Sequence, residues 1–171
     1  SIMTDIFIKS FNRPFYLDRC IASLHQYISG DFKIIVLDDG TPEKYLDKIR
    51  KKYPDTEIRL SENYEKKIKA IDDNLTSKKE INGHKIPTKF WYDNVEKASE
   101  YVIVTEDDVW VTEPINVDKL QSQAQKLKVN LIKLGWLGNQ KEAENLNINP
   151  ISENINSALP KNLMLFPKPL M

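Results

Sequence analysis

The chain is expected to fold as an α/β domain, with a Rossmann-like, mostly parallel sheet flanked by helices. Three observations predict this. The apolar run at residues 102–105 reads as a strand buried on both faces, residues 32–37 read as a strong buried strand, and residues 5–11 hold a further strand candidate. Stretches with helical spacing separate them, so strand and helix alternate, as a parallel sheet with right-handed crossovers requires. The two strongest strands run straight into consecutive carboxylates, Asp38-Asp39 and Glu106-Asp107-Asp108. In open α/β sheets, ligands bind beyond the carboxyl ends of the strands.

Each element has its own signal. The first strand, Asp5-Ile6-Phe7-Ile8-Lys9-Ser10-Phe11, ends at the turn-forming Asn12-Arg13-Pro14. Leu17, Cys20, Ile21, Leu24 and Ile28 then recur at helical spacing, and Gly30 is expected to stop that helix. Residues 32–37 form the second strand and lead into Asp38-Asp39-Gly40-Thr41-Pro42. Thr41 before Pro42 and Glu43 reads as an N-cap with proline at the first helical position. Tyr45, Leu46 and Ile49 mark a short helix running into Arg50-Lys51-Lys52, and residues 56–60 read as a third strand. Residues 62–75 suit a helix with Tyr64, Ile68, Ile71 and Leu75 on one face, and the polar stretch 76–87 suits a loop. Residues 89–98 suit another helix, whose Phe90 and Trp91 read as packing residues. The central strand at 102–105 follows. Thr112-Glu113-Pro114 turns the chain, 117–127 reads as a helix and 129–136 as a strand. Beyond Gly138 the pattern fades into residues rich in Asn, Glu and Lys, with no internal repeat.

Composition narrows the function. A length of 171 residues suits one domain, 1–171, able to bury a core without staples. Lys+Arg and Asp+Glu both total 25, so no global field draws nucleic acid or acidic membranes. The single cysteine, Cys20, allows no intrachain disulfide, fits a reducing compartment and reads as a core residue. No stretch has the length of a membrane span and no signal-peptide pattern opens the chain. From those missing signals a cytoplasmic location is expected, membrane-peripheral at most. His25 and His84 lack partners at metal-ligand spacing and read as incidental.

The acids carry the chemistry. Three carboxylates at one strand end repel each other unless a cation sits among them, and a hard divalent ion such as Mg²⁺ or Mn²⁺ is a natural partner. The ordinary alternative is a solvated turn or a helix N-cap. Asp38-Asp39 has three readings: a βα turn, the Mg²⁺ site of a receiver-like signalling domain, or a nucleotide site. In the last, one carboxylate accepts the imide N–H of a pyrimidine. A receiver normally carries its acidic pair after the first strand, whereas a complete strand and helix precede this one.

Three landmarks in order, over residues 4–115, resemble nucleotide-sugar glycosyltransferases of the GT-A fold, in particular the family-2-like group. Ser10-Phe11-Asn12-Arg13-Pro14 is similar to the motif ending that family's first strand. Asp38-Asp39-Gly40-Thr41 is similar to its Asp-Asp-Gly-Ser motif. Glu106-Asp107-Asp108 stands where its metal-binding Asp-any-Asp motif ends a later strand, in a form similar to that of some N-acetylglucosaminyltransferases. The resemblance implies that Phe11 lies against the base and that Asp38 or Asp39 hydrogen-bonds it. Asp107 would contact ribose or metal, and Asp108, with Glu106, would hold Mn²⁺ or Mg²⁺. Arg13, Lys66, Lys67 and Lys69 are candidate phosphate contacts, although solvated surface charge is the more ordinary role for each lysine.

The expected activity is metal-dependent transfer of a hexosyl or N-acetylhexosaminyl group from a nucleoside diphosphate sugar, with UDP the expected nucleotide. The acceptor would be a hydroxyl of a glycan or lipid-linked molecule, as in polysaccharide biosynthesis. The alternative is a non-enzymatic module, either a receiver-like Mg²⁺-binding domain or an inactive nucleotide-sugar binder. A nucleotidyltransferase would need a glycine-rich arginine loop after the first strand, which is missing. The family usually continues well past its metal motif. Residues 1–115 therefore read as the donor-binding half and 116–171 as a partial acceptor side, in a truncated, compact or degenerate member. Trp136 could line an acceptor site and Glu142 or Glu144 could serve as base, though their spacing equally fits a solvated face.

Overall fold

The computed structural model describes residues 2–77 and 85–128 and the strand segments 132–133 and 164–167, with only the backbone described in 75–77 and in those two segments. The elements are β1 (Thr4–Ser10), α1 (Pro14–Tyr27), β2 (Ile28–Ser29), β3 (Phe32–Asp38), α2 (Glu43–Lys52), β4 (Glu57–Leu60), α3 (Tyr64–Ser77), α4 (Thr88–Glu96), β5 (Tyr101–Glu106), β6 (Ile115–Asn116), α5 (Val117–Leu127), β7 (Ile132–Lys133) and β8 (Met164–Pro167).

The main sheet has the order β4-β3-β1-β5-β8-β7. Its first four strands are parallel, and β8 runs antiparallel to both neighbours. The chain steps outward from β1 to β3 to β4, then returns to lay β5 on the other side of β1. The strand order therefore reverses between β1 and β5, where open α/β sheets form their ligand crevice.

Alternation along the strands supplies two cores. Ile6, Ile8, Ile34, Val36 and Ile103 pack with Leu17, Cys20, Ile21 and Leu24 of α1, Ile49 of α2, and Leu120 and Ala124 of α5. On the other face Phe7, Ile35, Leu37, Val102 and Val104 pack with Val95 of α4, flanked by the partly buried Phe90 and Trp91. Ile6, Phe7 and Ile8 are fully buried. Each contributes about 1.5–3 kcal/mol by leaving water, more than an exposed ion pair at about 0–1 kcal/mol. Burial rather than surface charge therefore fixes β1 as the central strand.

Two expectations are corrected. The first helix stops at Tyr27, before Gly30, because Ile28 and Ser29 leave it to pair in parallel with β6, a partner invisible to local spacing. Gly30, at φ 97°, makes the turn that follows, and a Cβ there would lie 3.0 Å from Asp118. Thr41 does not cap α2. Pro42 occupies the N-cap position without a side-chain bond, and the Thr41 hydroxyl donates to Asp38 Oδ2 at 2.6 Å, because a fully buried carboxylate must find donors. As expected, β5 ends at the acids. The Val109 N–H donates back to the Glu106 carbonyl at 3.1 Å, and Val111 turns into the core.

The helix expected at 117–127 forms over those residues, capped by Asn116 Oδ1, which accepts from the Lys119 N–H at 3.1 Å. Of the strand expected at 129–136, only Ile132–Lys133 lies within the described residues. Among the described residues, no helix is long and apolar enough to cross a membrane.

Candidate functional site

The carboxyl ends of β1, β3 and β5 border a cavity of about 290 Å³, lined by Lys9, Ser10, Phe11, Arg13, Asp39, Lys67, Lys85, Ile86, Pro87, Trp91 and Glu106. Polar and charged groups converge there from the sheet, from α3 and from the segment leading into α4.

At the end of β3 the two aspartates part company. Asp38 is fully buried, and its Oδ1 accepts from the Gly40 N–H (3.0 Å) and the Thr41 N–H (2.7 Å). With the Thr41 hydroxyl on Oδ2, this carboxylate is spent on shaping the turn. Burial raises the Asp38 carboxyl above its usual range, opposed by the hydrogen bonds from Thr41 and Gly40. Asp39 lines the cavity instead. It accepts from Ser61 Oγ at 2.5 Å and is ion-paired with Lys67 Nζ. Lys67 is 4% exposed and also donates to the Lys85 carbonyl at 2.9 Å. The solvated role expected of Lys67 is therefore wrong, because the ion pair with Asp39 makes its burial affordable. Lys66 and Lys69 are exposed and do not line the cavity.

Phe11 forms one wall. Its ring lies so close over Gly40 that a Cβ there would sit 2.6 Å from Phe11 Cε2. Only glycine permits that approach. Lys67 Nζ stands 5.6 Å from the ring centroid.

At the end of β5 the acids are held by cations. Asp107 is fully buried. Arg13 reaches it with Nη2 at 2.6 Å from Oδ1 and Nε at 3.3 Å from Oδ2, and the Phe11 N–H lies 3.4 Å from Oδ2. The same guanidinium places Nη1 3.2 Å from Asp108 Oδ2. Burial raises the Asp107 carboxyl, with Arg13 opposing. Glu106 is directly opposite Lys9 in the β1–β5 register and is bridged to it at 3.1 Å. Lys9 Nζ also sits 4.5 Å above the Trp91 ring. Beneath the acids, burial and then Asp107 push the Cys20 thiol up to about 12, so it is an inert core group.

The cation that three adjacent carboxylates demand is thus supplied in part by Lys9 and Arg13. Asp107, covered by Arg13, presents no exposed oxygen. The Glu106 and Asp108 side chains are 52% and 41% exposed and offer hard oxygen donors. Among the described residues no three metal-ligating side chains converge. A Mg²⁺ or Mn²⁺ ion shared with substrate phosphates needs only one or two carboxylates, so the donor chemistry fits.

Sequence reasoning missed Lys9, Ser61, Lys85 and Trp91. Only Lys9 had a legible signal, since period-two alternation sets it on the face of Phe7. His25 stacks on Tyr53, with ring centroids 5.5 Å apart. Trp136, Glu142, Glu144 and His84 lie outside the described residues. The antiparallel β8 sets the sheet apart from the five-stranded receiver.

Residues 5–75 match the family model described as Glycosyl transferase family 2. Among curated protein sequences, none matches the chain. Among solved structures, the chain is similar to S. aureus TarS 1-349 in complex with UDP (15% identity, TM-score 0.56, covering 81% of this chain and 37% of that one). It is similar to the mannosyltransferase PcManGT from Pyrobaculum calidifontis in complex with GDP-Man and Mn²⁺ (12%, 0.54, 97% and 44%). It is also similar to glucosyl-3-phosphoglycerate synthase from Mycobacterium tuberculosis in complex with Mn²⁺, UDP and phosphoglyceric acid (11%, 0.51, 99% and 57%). The chain therefore spans between about a third and three fifths of the length of these neighbours. The family match is confined to residues 5–75, and the chain shares with these neighbours the GT-A fold, a mostly parallel sheet flanked by helices.

Proposed function

We propose that the chain binds the donor of a metal-dependent glycosyltransferase, which moves a hexosyl or N-acetylhexosaminyl group from a nucleoside diphosphate to a hydroxyl of a glycan or lipid-linked acceptor. One observation carries the reading. Asp39 with Lys67, and Glu106 with Arg13, line one cavity at the point where the strand order reverses. The base would lie against Phe11. Asp39 is an acceptor and Lys67 a donor beside it, which suits a base edge carrying an imide N–H next to a carbonyl. Uracil and guanine present that edge and cytosine does not, so UDP or GDP is favoured, with UDP the first choice. Asp38 would act only by bracing the turn beneath.

Arg13 and Lys9 would face the diphosphate. Asp108, with Glu106, would hold Mn²⁺ or Mg²⁺, which neutralises a diphosphate leaving group as a Lewis acid. Two neighbours were crystallised with Mn²⁺ together with GDP-Man or UDP, which supports this assignment. Glu142 or Glu144 remains the candidate base on the acceptor side.

The test is isothermal titration of UDP and GDP into the chain with Mn²⁺ and with EDTA, on wild type, Asp39→Ala and Asp108→Ala. Metal-dependent binding is expected, weakened by either substitution about tenfold or more, or ~1.4 kcal/mol. Absence of nucleotide binding under every metal condition would sink the donor reading.

A further inference from the structure

We infer that Arg13 competes with the divalent ion for Asp108, so that metal and diphosphate bind as a coupled pair and the metal alone binds poorly. The inference rests on the donor-site reading above and concerns how that site is controlled. The Arg13 guanidinium is anchored on one side, where Nη2 and Nε engage Asp107, a fully buried carboxylate that also lies within reach of the Phe11 N–H. On its other side Nη1 holds Asp108 at 3.2 Å, and Asp108 is 41% exposed. The fork therefore cannot leave Asp107 without stranding a buried charge, but it can give up Asp108.

Charge sets the order. Three carboxylates against Lys9 and Arg13 leave one net negative charge. A divalent ion arriving alone would reverse that sign and sit within a few ångströms of the guanidinium, which repels it. A diphosphate brings the missing negative charge and accepts hydrogen bonds from Arg13. It frees Asp108 for the ion at the same moment. Such coupling is reciprocal, so each ligand tightens the other by one common factor, typically about 5- to 150-fold.

Arg13→Ala would leave Asp107 unpaired, so Arg13→Lys is the informative variant. An ammonium can pair with Asp107 but lacks the fork that reaches both carboxylates. Free Mn²⁺ is counted by electron paramagnetic resonance with and without UDP, on wild type, Arg13→Lys and Asp108→Asn, with thermal unfolding as the folding check. Wild type is expected to bind Mn²⁺ weakly alone and more tightly with UDP. Arg13→Lys is expected to bind Mn²⁺ alone about fivefold or more tighter, with the gain from UDP reduced by a like factor. Asp108→Asn is expected to lose Mn²⁺ in both conditions. An unchanged gain from UDP in Arg13→Lys, with Mn²⁺ lost in Asp108→Asn, overturns the inference and leaves the donor reading standing. Equal Mn²⁺ affinity with and without UDP in wild type, or retained Mn²⁺ in Asp108→Asn, overturns the inference together with the metal dependence of the donor reading, because coupling is reciprocal. Wild type that binds neither UDP nor Mn²⁺ overturns both.

Discussion

The two acidic strand ends solve one problem by different means. Each run contains one carboxylate that is fully buried, Asp38 at the end of β3 and Asp107 just after β5, with neighbours turned toward the cleft or its rim. Asp38 is satisfied locally, by donors within three residues of it. Asp107 is satisfied by Arg13, 94 residues away in the chain. The first arrangement satisfies the carboxylate chiefly with donors of its own turn. The second ties β1 to β5 and is as strong as one ion pair. A run of acids at a strand end is thus two things at once, a brace and a cleft-facing group, and which acid does which depends on its side of the turn.

Breaking the long-range brace should have the largest effect. Arg13→Ala leaves a buried carboxylate without its cation. Such losses cost about 3–5 kcal/mol, and about 3 is expected here because Arg13 is itself 44% exposed. Urea denaturation of the variant measures it, and a loss under about 1 kcal/mol would mean that water already serves Asp107. Breaking the local brace should cost somewhat less. Asp38→Ala strands two backbone N–H groups and one hydroxyl, for about 2 kcal/mol by the same measurement. Equal losses would mean that sequence distance does not matter to how each acid is held.

Acidity sharpens the contrast with a third carboxylate. Asp38 and Asp107 are raised by burial, so the folded chain holds their protons more tightly than the unfolded one. The stability from this source is full below the ordinary value of 3.8 and is lost as pH rises through the raised native values. Glu57 runs the other way. Arg59 and Lys33 hold it at about 2, so its contribution is present above 4.5 and is lost as pH falls toward 2. Glu57 is 36% exposed, so its share is small, about 0.5 kcal/mol. Urea midpoints for Asp38→Asn and Glu57→Gln should lose pH dependence in opposite directions, the first above about pH 4 and the second below about pH 4.5. A common direction for both would contradict the burial of Asp38.

Much of the scaffold was legible because it rests on local pattern. The runs at Ile6–Phe7–Ile8, Ile34–Val36 and Val102–Val104 are apolar on both faces, as interior strands require. Helix 117–127 was legible to the residue from its sequence, and the structure adds the Asn116 cap. The site was legible as acids at strand ends. The sequence was silent on which acid of each pair is used, because Asp38 and Asp39 have the same chemistry and only the direction of the turn separates them. Lys67 looked like any surface lysine, since nothing near it in the chain announces Asp39. The early end of α1 was equally hidden, because Ile28 pairs with Ile115, far along the chain in β6.

What the sequence by itself determined is the alternation of strand and helix and the position of carboxylates at strand ends. Each follows from side chains within a few residues of one another, where periodicity and turn chemistry act. What only the tertiary structure decided is the division of labour among those carboxylates, the burial of Lys67 on Asp39, and the reach of Arg13 across the sheet to Asp107 and Asp108. Those depend on charges brought together from distant parts of the chain. Electrostatic energy follows separation in space and solvent exposure, and neither is written in the order of the residues.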